Sequence, residues 1–157
     1  MQKITPFLWF DNNAEEAMKF YTKIFKKSKI LKVARYGESG PGPKGSVMSA
    51  SFLLNGQEFI ALNGGPRFKF TEAISLVINC KTQKEVDYFW KHLSKDGMES
   101  KCGWVKDKFG LWWQVVPEGM EKLFRSKDPE KSKRAMQAML RMKKLDLNAM
   151  KRAYNKK

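Results

Sequence analysis

The sequence predicts an α+β fold in which one unit, a strand followed by a capped helix and further strands, occurs twice. Three observations predict it. Strand-like runs rich in aromatic and branched residues open both halves of the first 117 residues. An amphipathic helix with a capping signal follows each opening run. The two helices also superpose at an offset of 69 residues, Glu16-Ala17-Met18-Lys19-Phe20-Tyr21 on Glu85-Val86-Asp87-Tyr88-Phe89-Trp90. Duplication at this scale predicts two similar modules about a pseudo-twofold axis.

In the first module, Ile4 to Phe10 reads as a strand with Thr5, Phe7 and Trp9 on one side and Pro6, Leu8 and Phe10 on the other. Asn13 and Glu16 have capping-box spacing at the start of a helix that ends near Lys26-Lys27-Ser28. Its apolar face is Ala14, Ala17, Met18, Tyr21, Ile24 and Phe25. Lys29 to Tyr36 is a second strand, and Gly37 to Gly45 a loop with four glycines and two prolines. Ser46 to Leu54 and Gln57 to Asn63 form a hairpin turned by Asn55-Gly56.

The second module opens with a strand from Glu72 to Asn79. Thr82 and Glu85 form a strict capping box for a helix over 83–96 that buries Val86, Phe89, Trp90 and Leu93 and stops at Asp96-Gly97. Cys102 to Pro117 then reads as two strands around a turn at Asp107-Lys108-Phe109-Gly110. A single polar residue, Gln114, sits among large apolar ones there; it either lines a cavity or is a hydrogen-bonded core residue. Beyond Pro117 the pattern is helical. Asp128-Pro129 starts a helix carrying Ala135, Met136, Met139 and Leu140, and Asp146 caps a last helix bearing Leu147, Met150 and Tyr154. This methionine stripe reads as packing of a C-terminal arm, ahead of an adaptable binding surface.

Composition removes several function classes. The chain has 157 residues, 42% of them hydrophobic, enough for a sizeable core. It has no apolar run long enough to span a bilayer, and its first residues lack a signal-peptide core. Two cysteines make neither a disulfide framework nor a zinc set, so reduced thiols in the cytoplasm are expected. Net charge is +15, with residues 118–157 holding 13 basic and 5 acidic side chains. A lysine-rich surface serving solubility is the simpler reading. A nucleic-acid role has no recognisable motif behind it and would be nonspecific. His92 is the only histidine, which excludes a His-rich metal site, and nothing around it suggests the pocket position that a Ser-His-Asp triad needs. The glycine-rich loop joins strands and lacks the phosphate-loop pattern. No catalytic residue is assigned. What remains is sheet surface lined by aromatics with few polar groups, the anatomy of a small-molecule pocket and equally of an ordinary half-open core.

Several stretches together carry a family resemblance. They are Ile4-Thr-Pro-Phe-Leu-Trp-Phe-Asp11, Ala14 to Tyr21, Gly42 to Met48, Gly56 to Gly65, Phe68 to Ile74, Cys102 to Gly110 and Trp113 to Pro117. The chain resembles the PhnB-like branch of the glyoxalase/bleomycin-resistance/dioxygenase superfamily, also called the vicinal oxygen chelate superfamily. Asp128 to Lys144 resembles that branch's helical tail. The resemblance implies paired βαβββ modules forming a curved mixed sheet around a cup, plus C-terminal helices, in a homodimer. It implies a domain over 1–117, with modules at about 3–65 and 72–117, and a basic helical extension over 118–157. Metal-dependent superfamily members use His and Glu from four strands; by strand position those places fall near Thr5, Ala61, Ala73 and Gln114, none of which is a His or a carboxylate. Members often carry the label 3-demethylubiquinone-9 3-methyltransferase, yet no S-adenosylmethionine site is visible.

The expectation is therefore a small-molecule-binding protein without metal or other cofactor. Its pocket is expected from Thr5, Phe7, Trp9, Asn63, Phe70, Trp112 and Gln114, with Arg67, Lys69 and Lys106 at the rim favouring an anionic ligand. A metal-dependent lyase or dioxygenase is the first alternative, a nucleic-acid-associated protein the second. A resistance protein sequestering a cationic drug is opposed by the net positive charge.

Overall fold

The computed structural model describes residues 2–156. The chain divides into two compact units, Met1–Phe70 and Thr71–Lys157.

The first unit runs β1 (Phe7–Phe10), α1 (Ala14–Ile24), β2 (Lys29–Arg35), β3 (Val47–Leu54) and β4 (Gln57–Asn63). The sheet order is β1-β4-β3-β2, with β1 parallel to β4 and the other pairs antiparallel. One face takes Leu8, Phe10, Ala50, Phe52, Phe59 and Ala61, all buried, beneath the apolar stripe Ala14, Ala17, Met18, Tyr21 and Ile24 of α1. Phe52 and Phe59 stack at 5.9 Å within this core. The Asn55-Gly56 turn has positive φ at both residues, as its hairpin requires.

Two local details differ from the sequence reading. The strand starts at Phe7, and Ile4 is 84% exposed. Asn13 is the N-cap of α1 but makes no side-chain cap. The Ala14 amide instead donates to Asn63 Oδ1 at 2.8 Å, and Asn63 Nδ2 donates to the Val47 carbonyl at 3.0 Å. A residue 49 positions later thus satisfies one of the orphan amides at the start of α1.

The second unit repeats the connectivity: β5 (Leu76–Cys80), α2 (Gln83–Ser94), β6 (Met98–Glu99), β7 (Trp104–Lys106) and β8 (Trp112–Pro117), in sheet order β5-β8-β7-β6. The duplication is thus a βαβββ module in both halves. The helix caps are 69 residues apart, Asn13 and Thr82. The buried residues of the opening strands are 70 apart, Leu8 and Phe10 against Ile78 and Cys80, because the second strand-to-helix turn is one residue shorter. Thr82 Oγ1 accepts from the Glu85 amide at 3.2 Å, while the Glu85 carboxylate takes the Lys81 amide at 2.7 Å. The capping box closes one residue ahead of the ideal. The strand starts at Leu76, later than the apolar run suggests, and the short β6 has no signal of its own in the sequence.

Three helices follow: α3 (Met120–Phe124), α4 (Pro129–Leu140) and α5 (Leu147–Asn155). Asp128 and Asp146 cap α4 and α5 through their side chains. Leu123, Ala135, Leu145 and Met150 form a buried cluster, with Met139, Met142, Leu147 and Tyr154 packed on it. The stripe foreseen on α4 splits, with Ala135 and Met139 inward and Met136 and Leu140 exposed. The link from α4 to α5 is pinned to the β6–β7 connection by Cys102 N–H to Met142 O and Gly103 N–H to Lys143 O, both 2.8 Å. At Gly103 any Cβ would fall 2.8 Å from the Val115 carbonyl and 2.9 Å from Leu145, so only glycine lets the arm approach this closely.

Candidate functional site

In each unit the helix covers one face of the sheet, and the residues that alternate with the core line the other. On the second sheet this other face is set by register. Trp104 lies opposite Gln114, Lys106 opposite Trp112, and Val77 pairs with Gln114 from β5. Opposite residues share a face. Gln114 Nε2 donates to Ser75 Oγ at 2.9 Å. Trp104 and Trp112 meet edge-on at 6.3 Å, and Lys106 Nζ sits 5.6 Å from the Trp112 ring centre. Ser75, Trp104, Lys106, Trp112 and Gln114 therefore gather on one sheet face: two indoles, one ammonium, one amide and one hydroxyl. Indole faces and an ammonium attract planar and anionic groups respectively.

The hairpin holding these residues is organised by Asp107, the one buried charged or polar residue in the described core, at 2% exposure. Its Oδ1 accepts the amides of Phe109 and Leu111 at 2.9 and 3.1 Å, and its Oδ2 accepts the Trp113 indole N–H at 2.8 Å. The Asp107 amide donates to Leu111 O, and Gly110 N–H to Asp107 O. The carboxylate fixes the turn and the inward side of β8, while Trp112 and Gln114 point to the opposite side.

The remaining expected pocket residues lie in the first unit and have more local ties. Phe7 is 58% exposed. Trp9 is half-buried; its indole N–H donates to Gly65 O at 2.9 Å and its ring packs edge-on with Phe68 at 5.0 Å. A Cβ at Gly64 would fall 2.3 Å from the Trp9 ring, so the indole lies flat on bare backbone. Thr5 is half-buried ahead of β1, and Phe70 meets the buried Phe10 edge-on at 5.2 Å. Asn63 pairs with Phe10 in register, and both ends of its amide serve α1 and β3 as described. Among the rim residues, Arg67 lies 5.3 Å over the Phe68 ring and Lys69 is exposed.

Register also corrects the positions equated with metal ligands. Ala61 is wholly buried on the helix side of the first sheet; the open-face residue matching Gln114 is Ile60, opposite Phe7 as Gln114 is opposite Val77. On the second sheet the residue beside Gln114 is Ser75, two positions after the exposed Ala73. Ser75 shares its parity with Ala73, and no local signal says which of the two stands beside Gln114; Trp104 is placed there by the register of β7 on β8. On the first sheet Thr5 is a neutral donor and Ile60 none, and on the second Ser75 and Gln114 are neutral. Neither face by itself offers the anionic or imidazole ligands that offset a divalent cation's dehydration.

The thiols are not poised for nucleophilic work. Burial pushes the Cys80 thiol up to about 12, with the Glu85 and Glu118 charges adding to it. Cys102 directs its half-buried thiol toward Met139 O at 3.8 Å. His92 lies on α2 with its ring 4.5 Å from that of Tyr88. Both strand-to-helix turns, 11–13 and 81–82, lack glycine. They do not fit the bare-backbone approach that a nucleotide-bearing cofactor makes at such turns. Among the described residues no helix is long and apolar enough to cross a membrane.

Two βαβββ modules with matching sheet order define a protein of the glyoxalase/bleomycin-resistance fold. A fosfomycin resistance protein, FosX, from Listeria monocytogenes shares this fold at TM-score 0.54 and 10% identity, over 77% of this chain and 94% of that one. A protein from Pseudomonas aeruginosa shares it at TM-score 0.63 and 21% identity, over 75% and 98%. The chain belongs to the family described as 3-demethylubiquinone-9 3-methyltransferase, the PhnB-like branch, whose model matches residues 2–116. A PhnB protein from Bacillus cereus is 42% identical, with TM-score 0.70, over 74% of this chain and 99% of that one. No curated protein matches the chain.

Proposed function

We propose that this PhnB-like protein binds a small planar anion on the open face of its second sheet, without a metal ion. The observation that carries the proposal is the Gln114–Ser75 hydrogen bond beside Trp104, Trp112 and Lys106. The bond holds the amide in place, the half-buried Trp104 offers stacking surface against the buried Trp112, and the ammonium supplies charge complementarity. The open face of the first sheet, with Thr5, Phe7 and Trp9, offers apolar surface of the same kind. Residues 1–117 are the ligand-binding part and 118–157 an appended helical arm. Exposed Phe68 and Ile74, apart from the proposed site, support a homodimer that covers them. A cytoplasmic location fits the free thiols.

Native mass spectrometry of gently purified protein, with parallel metal analysis, tests this reading. A co-purifying aromatic anion retained by the wild type and lost from Lys106→Ala and Gln114→Ala is expected. Stoichiometric divalent metal, or a ligand equally retained by both variants, would sink it.

A further inference from the structure

The C-terminal arm carries a second surface that the small-molecule reading does not use. Residues 118–157 hold 13 basic and 5 acidic side chains, and α5 contains no acidic residue. Leu147, Met150 and Tyr154 turn into the arm's own core. Asn148, Lys151, Arg152 and Asn155, spaced three or four apart, are all exposed and form one stripe on the opposite side. Lys156 continues it. Among the described residues no ion pair engages Lys151, Arg152 or Lys156. Structure inside the arm does not need them, since docking is accomplished by the Met142, Lys143 and Leu145 backbone.

More cations converge at the end of α5. Arg134 donates to Tyr154 O at 3.2 Å and Lys131 Nζ lies 5.7 Å from the Tyr154 ring centre. Asp128 faces Lys131 at a loose 3.9 Å, and Arg134 Nε is buried without a hydrogen-bond partner. A helix C-terminus accommodates a cation or two. Gathering Lys131, Arg134, Lys151, Arg152 and Lys156 around one short helix exceeds that need, and like charges brought together favour an external anion.

We propose that the α5 stripe binds the phosphate backbone of nucleic acid without sequence preference. Asn, Lys and Arg are donors suited to phosphate oxygens. An anionic membrane is the less favoured polyanion, because the α5 stripe has no apolar residue to insert.

Fluorescence anisotropy tests the proposal with labelled 20-nucleotide single strands and 20-base-pair duplexes, across 50–200 mM NaCl. In the full-length protein, the triple variant Lys151→Ala/Arg152→Ala/Lys156→Ala should weaken duplex binding by about tenfold or more at 100 mM salt. It should flatten the log K against log salt slope by about 2 to 3, since each lost phosphate contact removes roughly 0.9. Lys23→Ala/Lys26→Ala/Lys32→Ala, an equal charge change on the exposed surface of the first unit, should cost less than about threefold. Circular dichroism and thermal melting of both variants confirm folding. Equal losses from the two triple variants would reduce the effect to net charge and overturn the proposal. So would absence of binding at 100 mM salt, or vesicles containing phosphatidylserine binding in preference to the duplex and losing affinity with the α5 variant. Retention of the small-molecule ligand by the α5 variant separates this surface from the sheet-face site.

Discussion

Trp113 donates its indole N–H to Asp107 at 2.8 Å, and the same carboxylate holds the Phe109 and Leu111 amides with its other oxygen. Removing the carboxylate leaves these donors without that acceptor in a region where Leu111 and Trp113 are both about 2% exposed. Each donor left buried and unsatisfied costs about 1–3 kcal/mol. Asp107→Ala should lose about 3 kcal/mol or more of stability, seen as a lower urea midpoint and altered tryptophan emission. Asp107→Asn should recover part of the loss, because one amide oxygen can still serve the backbone. A wild-type midpoint for Asp107→Ala would refute this account of the hairpin.

Much of the fold was legible because local and global signals agree. The Asn55-Gly56 hairpin, the Thr82 cap and the Asp128 and Asp146 caps are short-range, and all appear in the structure. The duplication was legible because the two helices keep their apolar faces and start 69 residues apart. Legibility fails where a distant residue does the local work. Asn63 replaces the expected side-chain cap of α1, and β6 exists because Met98–Glu99 pairs with β7, which no propensity announces. The candidate site suffered in the same way. Ser75, two residues beyond Ala73, stands beside Gln114 with no local signal to mark it, and Asp107 serves a distant indole as well as the turn that its sequence announces.

Asn63 should be a cap with a measurable effect. Asn63→Ala removes the acceptor for Ala14 N–H and the donor to Val47 O together. A cost of about 1–2 kcal/mol is expected, the range for a lost cap. Faster amide exchange should begin at the first turn of α1. Asn63→Asp keeps the acceptor, so it should protect Ala14 while losing the bond to Val47. If exchange at Ala14 stays at the wild-type rate in Asn63→Ala, the cap role is wrong.

Gln83 should couple the helical arm to the second sheet. Its Nε2 donates to Leu145 O at 2.9 Å and its Oε1 accepts Leu147 N–H at 3.3 Å, from the first turn of α2. Lys144–Asp87 at 2.6 Å and Lys143–Glu99 at 3.7 Å are more exposed and contribute less. Gln83→Ala should cost about 1–2 kcal/mol, near 1 kcal/mol for each hydrogen bond. Hydrogen exchange should rise at Leu147 and along α5 before it rises in α2. Loss of protection beginning in α2 would mean that Gln83 serves its own helix.

Metal removal should leave stability unchanged if the open sheet faces hold no cation. Prolonged dialysis against EDTA, followed by addition of manganese, zinc or magnesium, should not shift the melting temperature measurably. A site binding the native state at 100 times its dissociation constant would add about 2.7 kcal/mol, a shift easily seen. Gln114 is the informative position. Gln114→Glu puts an anionic oxygen beside Ser75 and should raise affinity for manganese only weakly, because Ser75 supplies only a neutral oxygen. Metal-dependent stabilisation of the wild type that disappears in Gln114→Ala would overturn the metal-free reading of this face.

Cys80 should make stability fall at alkaline pH. Its folded-state pKa, raised to about 12 by burial and then by Glu85 and Glu118, exceeds the ordinary thiol value. Below about pH 9 the thiol is protonated in both folded and unfolded chains and imposes no pH dependence. As pH rises from about 9 toward 12, the unfolded thiol ionises while the buried one keeps its proton, so the unfolded state gains and stability declines. Cys80→Ala should be less stable than the wild type at pH 7, where it leaves a small cavity, but should lose less between pH 9 and 11. Thiol labelling offers a second readout. The thiolate is the reactive form, so at pH 8 the half-buried Cys102 should react with a disulfide reagent well ahead of Cys80. Equal labelling rates in the native protein, or identical alkaline slopes for the wild type and Cys80→Ala, would remove Cys80 as the source of the alkaline loss.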